Sequence, residues 1–157
     1  MSDQASFFRV ENVEGRGDAV IVCEHASNDL GGADDALGLS AELRHAHIAW
    51  DPGALGVARG LAAAMDAVLI HATASRLIYD LNRPPDSPGA MPTRSESYDV
   101  PGNRDLTAAQ RQGRTAAHYV PFHAALFSLL ARRLAGGRPT ALITVHSFTP
   151  VYFGTRR

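Results

Sequence analysis

The run Ala19–Cys23 constrains the fold of this chain most strongly, because its five consecutive residues are all apolar and three of them are β-branched. A short continuous apolar run of this kind is typical of a strand that is buried on both faces of a parallel sheet. Glu24 and His25 follow the run directly. In open α/β sheets, ligands bind beyond the carboxyl ends of the strands, so this polar pair marks a candidate site.

The remaining elements are predicted from the spacing of apolar residues and from capping residues. Helices are predicted over 41–47, 53–65 and 108–134, with Ser40 as the N-cap of the first and a capping box of Thr107 and Gln110 at the start of the last. Pro121 predicts a kink or a break near Tyr119. The residues before Ala19 form a polar lead without a predicted strand. Further strands are predicted over 68–70, 77–79 and 140–145. The order strand, helix, strand, strand, helix, strand favours an α/β sheet with parallel pairings.

Composition narrows the partners and the compartment that we expect. The 157 residues predict one domain, 1–157, with a single core. A formal charge of -1 provides no general attraction to nucleic acid or to a membrane surface, so we expect a small-molecule partner. The sequence does not indicate an oligomeric state.

Cysteine usage and the N-terminus indicate a cytoplasmic protein. Cys23 is the only cysteine, which excludes an intrachain disulfide and fits a reducing compartment. The N-terminal residues show no signal-peptide pattern. The richest apolar stretch, 124–131, is far shorter than the ~20 residues that span a bilayer.

Two histidines that each follow a predicted strand are the first candidate for chemistry. His25 and His146 should lie at the same edge of the sheet, and Asp51 is the natural third member of the group. Imidazole and carboxylate together suit a catalytic zinc, which uses about three protein ligands and leaves one position open. The pattern alone leaves the alternative open, because a polar residue after a strand is usually turn chemistry.

A second candidate lies where the predicted strand 77–79 meets a long loop over 83–103, which contains five of the nine prolines. Arg83 could bind a carboxylate in a bidentate manner, and Asn82 could add a donor. The alternative is an ion pair between Asp80 and an arginine. Arg76 could polarise a carbonyl or could simply be solvated. Long loops of this kind are usually lids or binding loops.

Five segments together resemble the N-formylglutamate amidohydrolase family in order and spacing. They are 22–28 (VCEHASN), 47–54 (HIAWDPGA), 75–84 (SRLIYDLNRP), 100–103 (VPGN) and 144–148 (TVHSF). The resemblance covers about residues 20–152. Its most specific element is the Asp-Leu-Asn-Arg motif at 80–83.

The resemblance implies a fold similar to the zinc carboxypeptidases and aspartoacylases, the phosphorylase/hydrolase-like fold, with a mixed, largely parallel sheet covered by helices. It also implies one zinc per chain at the strand ends, with His25, Asp51 and His146 as the ligands. The carboxypeptidase pattern has a glutamate three residues after its first histidine, but Asn28 stands there in this chain. Asp51 is therefore the better second ligand.

The resemblance also implies the reaction class, which is hydrolysis of an N-acyl amino acid. N-formyl-L-glutamate, which gives formate and L-glutamate, is the substrate that names the family. Asn82 and Arg83 look like the pair for the substrate carboxylate, and Arg76 looks like the arginine that polarises the scissile carbonyl. Zinc would activate the water and polarise the formyl oxygen, while Arg76 stabilises the developing oxyanion.

The general base is not indicated clearly by the sequence. The chain ends eleven residues after His146, whereas family members continue through further strands, so we expect the domain to be incomplete at its C-terminus. Glu24 and Glu96 are the candidate bases. Two alternatives stay open: a fragment that binds metal or carboxylate without turnover, and a relative that acts on another N-acyl amino acid.

Overall fold

A four-stranded sheet forms the centre of the fold. The computed structural model describes residues 7–31, 36–153 and 155–156. The strands in these residues are Phe8–Glu11 (β1), Ala19–Cys23 (β2), Val68–Ala72 (β3), Arg94–Ser95 (β4), Tyr98–Asp99 (β5), Ala141–Thr144 (β6), Val151–Tyr152 (β7) and Thr155–Arg156 (β8). The central sheet has the order β1-β3-β2-β6, and β4-β5 and β7-β8 form two small hairpins.

The pairing makes this a mixed, largely parallel sheet. β2 pairs in parallel with both β3 and β6, and β1 pairs antiparallel with β3 at the edge. All five residues of β2 are fully buried, as expected for the central strand of such a sheet. The predicted α/β fold class is confirmed. Because β2 and β6 run in the same direction, the residues that follow them emerge at one edge.

The described residues contain four α-helices, and two of them cover opposite faces of the sheet. The helices are Ala41–His45 (α1), Ala54–Ala64 (α2), Ala108–Arg114 (α3) and Val120–Ala135 (α4). The buried alanines of α2 recur every four residues and pack against one face through Ala54, Ala58 and Ala62. Phe122 and Leu129 of α4 pack against the other face.

The predicted helix starts and the predicted break are confirmed. The Ser40 side chain accepts a hydrogen bond from the backbone of Leu43, and Thr107 and Gln110 form the reciprocal capping box. The π-helical turn Thr115–Tyr119 joins α3 to α4 and ends just before Pro121. A π-turn at this point is a recognised way to accommodate a break in the helical hydrogen-bond ladder.

Two predictions for the strands are wrong. Leu77 and Ile78 lie in a turn, because Ile78 N–H donates to the Ser75 carbonyl and Leu77 N–H donates to the Ser75 hydroxyl, and Tyr79 follows in an irregular segment. Their burial explains the error, since an apolar run buried in a turn looks like a buried strand in sequence. The supposed polar lead contains β1, whose apolar residues alternate with charged ones.

The loop 83–103 is ordered by a buried asparagine. Asn103 donates from its amide to the carbonyls of Leu77 and Pro92, and its side-chain oxygen accepts from Arg114 at 2.6 Å. The β4-β5 hairpin lies within this loop. Within the described part of the chain, no helix is both long enough and apolar enough to cross a membrane.

Candidate metal centre and substrate cleft

The candidate metal centre is built at the carboxyl ends of β2 and β6. His25 follows β2 and is 3% exposed, and His146 follows β6. Their ring centroids lie 5.0 Å apart. The two histidines meet because β2 and β6 are parallel neighbours, as the sequence analysis expected.

Asp51 is the third member of the group and lies in the segment between α1 and α2. Its backbone N–H donates to the His25 carbonyl at 2.9 Å, which fixes this segment against the end of β2. Its Oδ2 lies 2.9 Å from His146 Nδ1 and 3.5 Å from His25 Nδ1. One potential ligand atom from each of the three residues lies within 4.8 Å of the others.

The chemistry of this group fits a metal ion. His25 Nδ1 is buried and has no hydrogen-bond partner in the described residues, although it faces the Asp51 carboxylate. An unpartnered buried imidazole nitrogen costs free energy unless a further group binds to it. Two imidazoles and one carboxylate form a donor set that suits zinc.

Asp80 holds the other nitrogen of the His25 ring. Its Oδ1 lies 2.8 Å from His25 Nε2 and also accepts the Asn82 N–H at 3.0 Å. An ionised carboxylate can only accept, so Nε2 carries the proton in the neutral form of His25, and Nδ1 then has the free lone pair. Such carboxylate contacts commonly orient metal-binding histidines.

Arg76 links the two carboxylates. Its Nη2 lies 2.6 Å from Asp80 Oδ2 and its Nη1 lies 3.6 Å from Asp51 Oδ1, while its side chain keeps 28% exposure. The alternative of an ion pair between Asp80 and an arginine is therefore realised in this structure. The same contacts hold the Arg76 guanidinium beside His25, Asp51 and His146, which we call the metal group.

The pKa shifts follow from these contacts. Burial would raise the pKa of Asp51, but the hydrogen bond with His146 and the nearby His25 ring outweigh it and hold that pKa well below its usual range. Burial likewise opposes ionisation of Asp80, yet the contacts with His25 and Arg76 lower its pKa. Both carboxylates are therefore ionised at neutral pH.

Burial acts differently on His25 and Cys23. It would lower the pKa of His25, but the adjacent Asp51 and Asp80 carboxylates raise it overall. Burial raises the pKa of the Cys23 thiol to about 12, so this thiol stays protonated and unreactive at neutral pH.

Glu24 adds a third carboxylate to this buried region. It is 8% exposed, and its Oε2 lies 3.5 Å from His146 Nε2 without a hydrogen-bond partner among the described residues. Asp51 and Asp80 are buried as well. Arg76 is the one arginine that pairs with any of these three carboxylates within the described residues, so a bound cation would relieve the excess of negative charge.

A cleft of about 600 Å³ opens beside the metal group. Asp51, Arg76 and Ser147 are among the residues that line it, and Trp50, Phe148 and Tyr152 contribute aromatic side chains. The residues that line it include His47, Trp50, Arg83, Glu96, Phe148 and Tyr152. A cleft of this size with a few convergent charged groups is typical of a small-molecule site.

Of the two residues that are predicted to bind the substrate carboxylate, Arg83 lines the cleft and Asn82 does not. Arg83 is exposed and lines the cleft. Asn82 is exposed and is absent from the described residues that line the cleft. Glu96 lines the cleft from the β4-β5 hairpin, and its Oε1 lies 2.7 Å from His47 Nε2. Asn28, at the glutamate position of the carboxypeptidase pattern, instead donates to the Arg44 carbonyl.

Two contacts at this site are not predicted by the sequence. The sequence indicates Asp80 only as the partner of an arginine, although its carboxylate also contacts His25 Nε2. The contact between His47 and Glu96 joins the hairpin to the segment after α1, and no local pattern links residues that are 49 positions apart. The Asp-Leu-Asn-Arg motif was the one signal that pointed to Asp80.

Comparisons with known proteins identify one family to which the chain is similar. The family model described as N-formylglutamate amidohydrolase matches residues 17–157. A search of curated proteins gave no significant match.

One solved structure shows how closely the fold is shared. The crystal structure of a gene product from Agrobacterium tumefaciens is 50% identical in sequence and superposes with a TM-score of 0.96. The match covers 100% of this chain and 62% of the Agrobacterium chain. The chain therefore spans less than two thirds of the length of that relative.

Proposed function

The chain belongs to the N-formylglutamate amidohydrolase family, and from this premise we propose that it is a zinc-dependent hydrolase that cleaves N-formyl-L-glutamate to formate and L-glutamate. The observation that carries the proposal is the group of His25, Asp51 and His146 beside a cleft that presents Arg76 and Arg83. Such a cleft combines a metal site with positive groups for an acidic substrate.

His25, Asp51 and His146 would hold one zinc ion. The unpartnered Nδ1 of His25 supports this role, because Asp80 occupies the other ring nitrogen. When bound, zinc supplies a Lewis acid for the acyl carbonyl and lowers the pKa of a water molecule toward about 7.

Arg76 stabilises the negative charge that develops on the acyl oxygen. Its guanidinium is fixed by Asp80 and Asp51, so little reorganisation is needed during the reaction. Its 28% exposure leaves part of the group free to face the cleft. Preorganised donors of this kind contribute about 3 kcal/mol each to transition-state stabilisation.

Arg83 binds a carboxylate of the substrate. The planar guanidinium suits bidentate binding of a carboxylate, and it lines the cleft beside Ser95 and Glu96. Asn82 stands next to it in the chain and would add a donor from the rim. The acyl group is thereby directed toward Asp51 and Arg76.

Glu96 is the proposed general base. Its side chain is 14% exposed, and the contact with His47 holds it at the cleft wall. The left-handed backbone of Glu96 (φ 50°) belongs to the two-residue turn that joins β4 to β5. The carboxylate would accept a proton from the attacking water and deliver it to the leaving amine as the C–N bond breaks.

The test is formate release by the purified, zinc-loaded chain. We expect N-formyl-L-glutamate to be hydrolysed, with activity lost on chelation and regained on adding zinc. Glu96→Gln should lower kcat by roughly 10²–10⁴-fold, whereas Glu24→Gln should retain most of the activity. The reverse ranking would assign the base to Glu24.

A substrate panel completes the test. N-formyl-L-aspartate, N-acetyl-L-glutamate and N-formyl-L-methionine vary the acid and the acyl group in turn. Preference for a different acyl amino acid would correct the substrate while keeping the reaction class. A folded, zinc-loaded chain that hydrolyses none of them would overturn the enzymatic proposal and favour binding without turnover.

A further inference from the structure

Three arginines meet at the edge of the sheet opposite the metal group. Gly17, Val68 and Pro139 mark this edge, because they lie at or just before the first residues of β2, β3 and β6. The end of α4 and the turn after it bring in Arg132, Arg133 and Arg138. We call this group the arginine pocket.

Arg133 is the most deeply buried member of the pocket. It is 5% exposed, and it donates from Nε to Thr140 Oγ1 at 2.9 Å and from Nη2 to the Gly17 carbonyl at 2.6 Å. Its Nη1 is buried without a partner among the described residues. A buried charge that meets only neutral oxygens keeps a large desolvation penalty.

Arg138 adds a second guanidinium that also contacts neutral oxygens. Its Nη2 donates to the Arg16 carbonyl at 2.7 Å, with longer contacts to Gly15 and Gly17. In the described part of the chain, no carboxylate oxygen lies within 4.0 Å of Arg133 or Arg138.

Asp66 contributes negative charge near this pocket, and it bonds to residues of the segment between β1 and β2. Its oxygens accept hydrogen bonds from Asn12 Nδ2 at 3.1 Å and from Arg16 N–H at 3.2 Å. The hydrogen bonds from Asn12 and from the Arg16 backbone lower the pKa of Asp66, and the positive charges of Arg16 and Arg138 add to this effect. Asp66 therefore compensates part of the charge of Arg138 but does not pair with Arg133.

The three side chains line a cavity of about 130 Å³, together with Val13, Gly15, Val68 and Leu129. This volume is about ten times the volume that one water molecule needs. It is too small for a nucleotide. Guanidinium groups match the oxygens of tetrahedral oxyanions.

We propose that the arginine pocket binds a small inorganic oxyanion, phosphate or sulfate. The anion would supply the negative charge that the described residues do not place beside Arg133. The site is separate from the proposed active site, because it lies at the amino ends of the strands that carry His25 and His146 at their carboxyl ends.

The test is thermal unfolding of the full chain during titration with sodium sulfate and sodium phosphate, against sodium chloride at equal ionic strength. A ligand that binds the folded state raises stability in a saturable manner. We expect both oxyanions to raise the unfolding midpoint and chloride to have a much smaller effect.

Four variants locate the binding. Arg132→Gln/Arg138→Gln should weaken the apparent affinity at least about tenfold, and Arg132→Gln alone, an exposed position, replaces it if the double variant does not fold. Arg59→Gln is the matched control, since Arg59 pairs with Glu11 on the surface. Arg83→Ala tests whether the oxyanion binds in the cleft instead.

The proposal stands if Arg59→Gln and Arg83→Ala keep the saturable rise and the arginine-pocket variants lose it. It is overturned if the wild-type chain shows no rise beyond that with chloride. It is equally overturned if the pocket variants keep the rise, or if Arg83→Ala abolishes it.

Discussion

Asp80 Oδ1 lies 2.8 Å from His25 Nε2, while Nδ1 of the same ring faces Asp51 without a hydrogen-bond partner among the described residues. One carboxylate therefore fixes the tautomer of His25 and leaves the other nitrogen able to bind a metal. This relationship connects the Asp-Leu-Asn-Arg motif to the metal group, although the motif and His25 are 55 residues apart.

Asp80→Asn should weaken zinc binding by about 10–100-fold, because outer-shell partners of metal-binding histidines typically contribute that much. The amide is nearly the same size as the carboxylate but no longer favours the required tautomer or pairs with Arg76. Zinc affinity can be measured by competition with a chromophoric chelator. Asp86→Asn, at an exposed position, is the control. Equal affinities for both variants would show that Asp80 does not position His25.

Arg83→Ala should raise KM for N-formyl-L-glutamate by about 10–100-fold, since it removes a charge-assisted contact to a carboxylate. The effect on kcat should be smaller, because Arg83 is proposed to bind the substrate rather than the reacting acyl group. Steady-state kinetics of formate release provides the measurement. Arg104→Ala removes an exposed arginine that pairs with Asp99 and should change neither constant. An unchanged KM for Arg83→Ala would remove the carboxylate assignment.

The stability of the fold should fall in acid through His118. This residue is 7% exposed, its ring lies 3.9 Å from that of Phe7, and burial together with Arg114 lowers its pKa from 6.5 to about 4. In the unfolded chain, His118 therefore binds a proton near pH 6.5. In the folded chain, it does not bind this proton until the pH falls to about 4. The stability from neutral His118 is present above pH 6.5 and is lost as the pH falls toward 4, by up to about 3 kcal/mol.

Urea unfolding of the metal-free chain between pH 7 and pH 4 measures this loss. His118→Gln carries no titrating group, so its free energy of unfolding should decline less steeply over that interval. His45→Gln, at an exposed position, should keep the steep wild-type decline. Parallel curves for the wild type and His118→Gln would contradict the assignment.

The sequence was sufficient to predict the parts of the fold that depend on local periodicity. The apolar run of β2, the Ser40 N-cap and the capping box of Thr107 and Gln110 specify elements that form from neighbouring residues. His25 and His146 could be expected at one edge because both follow strands of a parallel sheet. The metal-binding role of these residues and the contribution of Arg76 stay predictions.

Other features depend on contacts that a local pattern does not encode. Leu77 and Ile78 are buried in a turn that Ser75 stabilises, and apolar content alone does not distinguish such a turn from a strand. β1 was missed although Phe8 and Val10 alternate with charged residues, which is the pattern of a half-buried edge strand. Asn82 was expected beside Arg83 in the cleft, but side-chain direction after a turn cannot be derived from sequence order.

Zinc content measured by elemental analysis tests the central claim most directly. The purified wild-type chain should contain about one zinc per chain, and His25→Ala and His146→Ala should both lose it while remaining folded by circular dichroism. His45→Ala, which removes an exposed histidine outside the metal group, should retain the metal. A folded wild-type chain that takes up no zinc, or variants that retain it fully, would contradict the proposed metal centre.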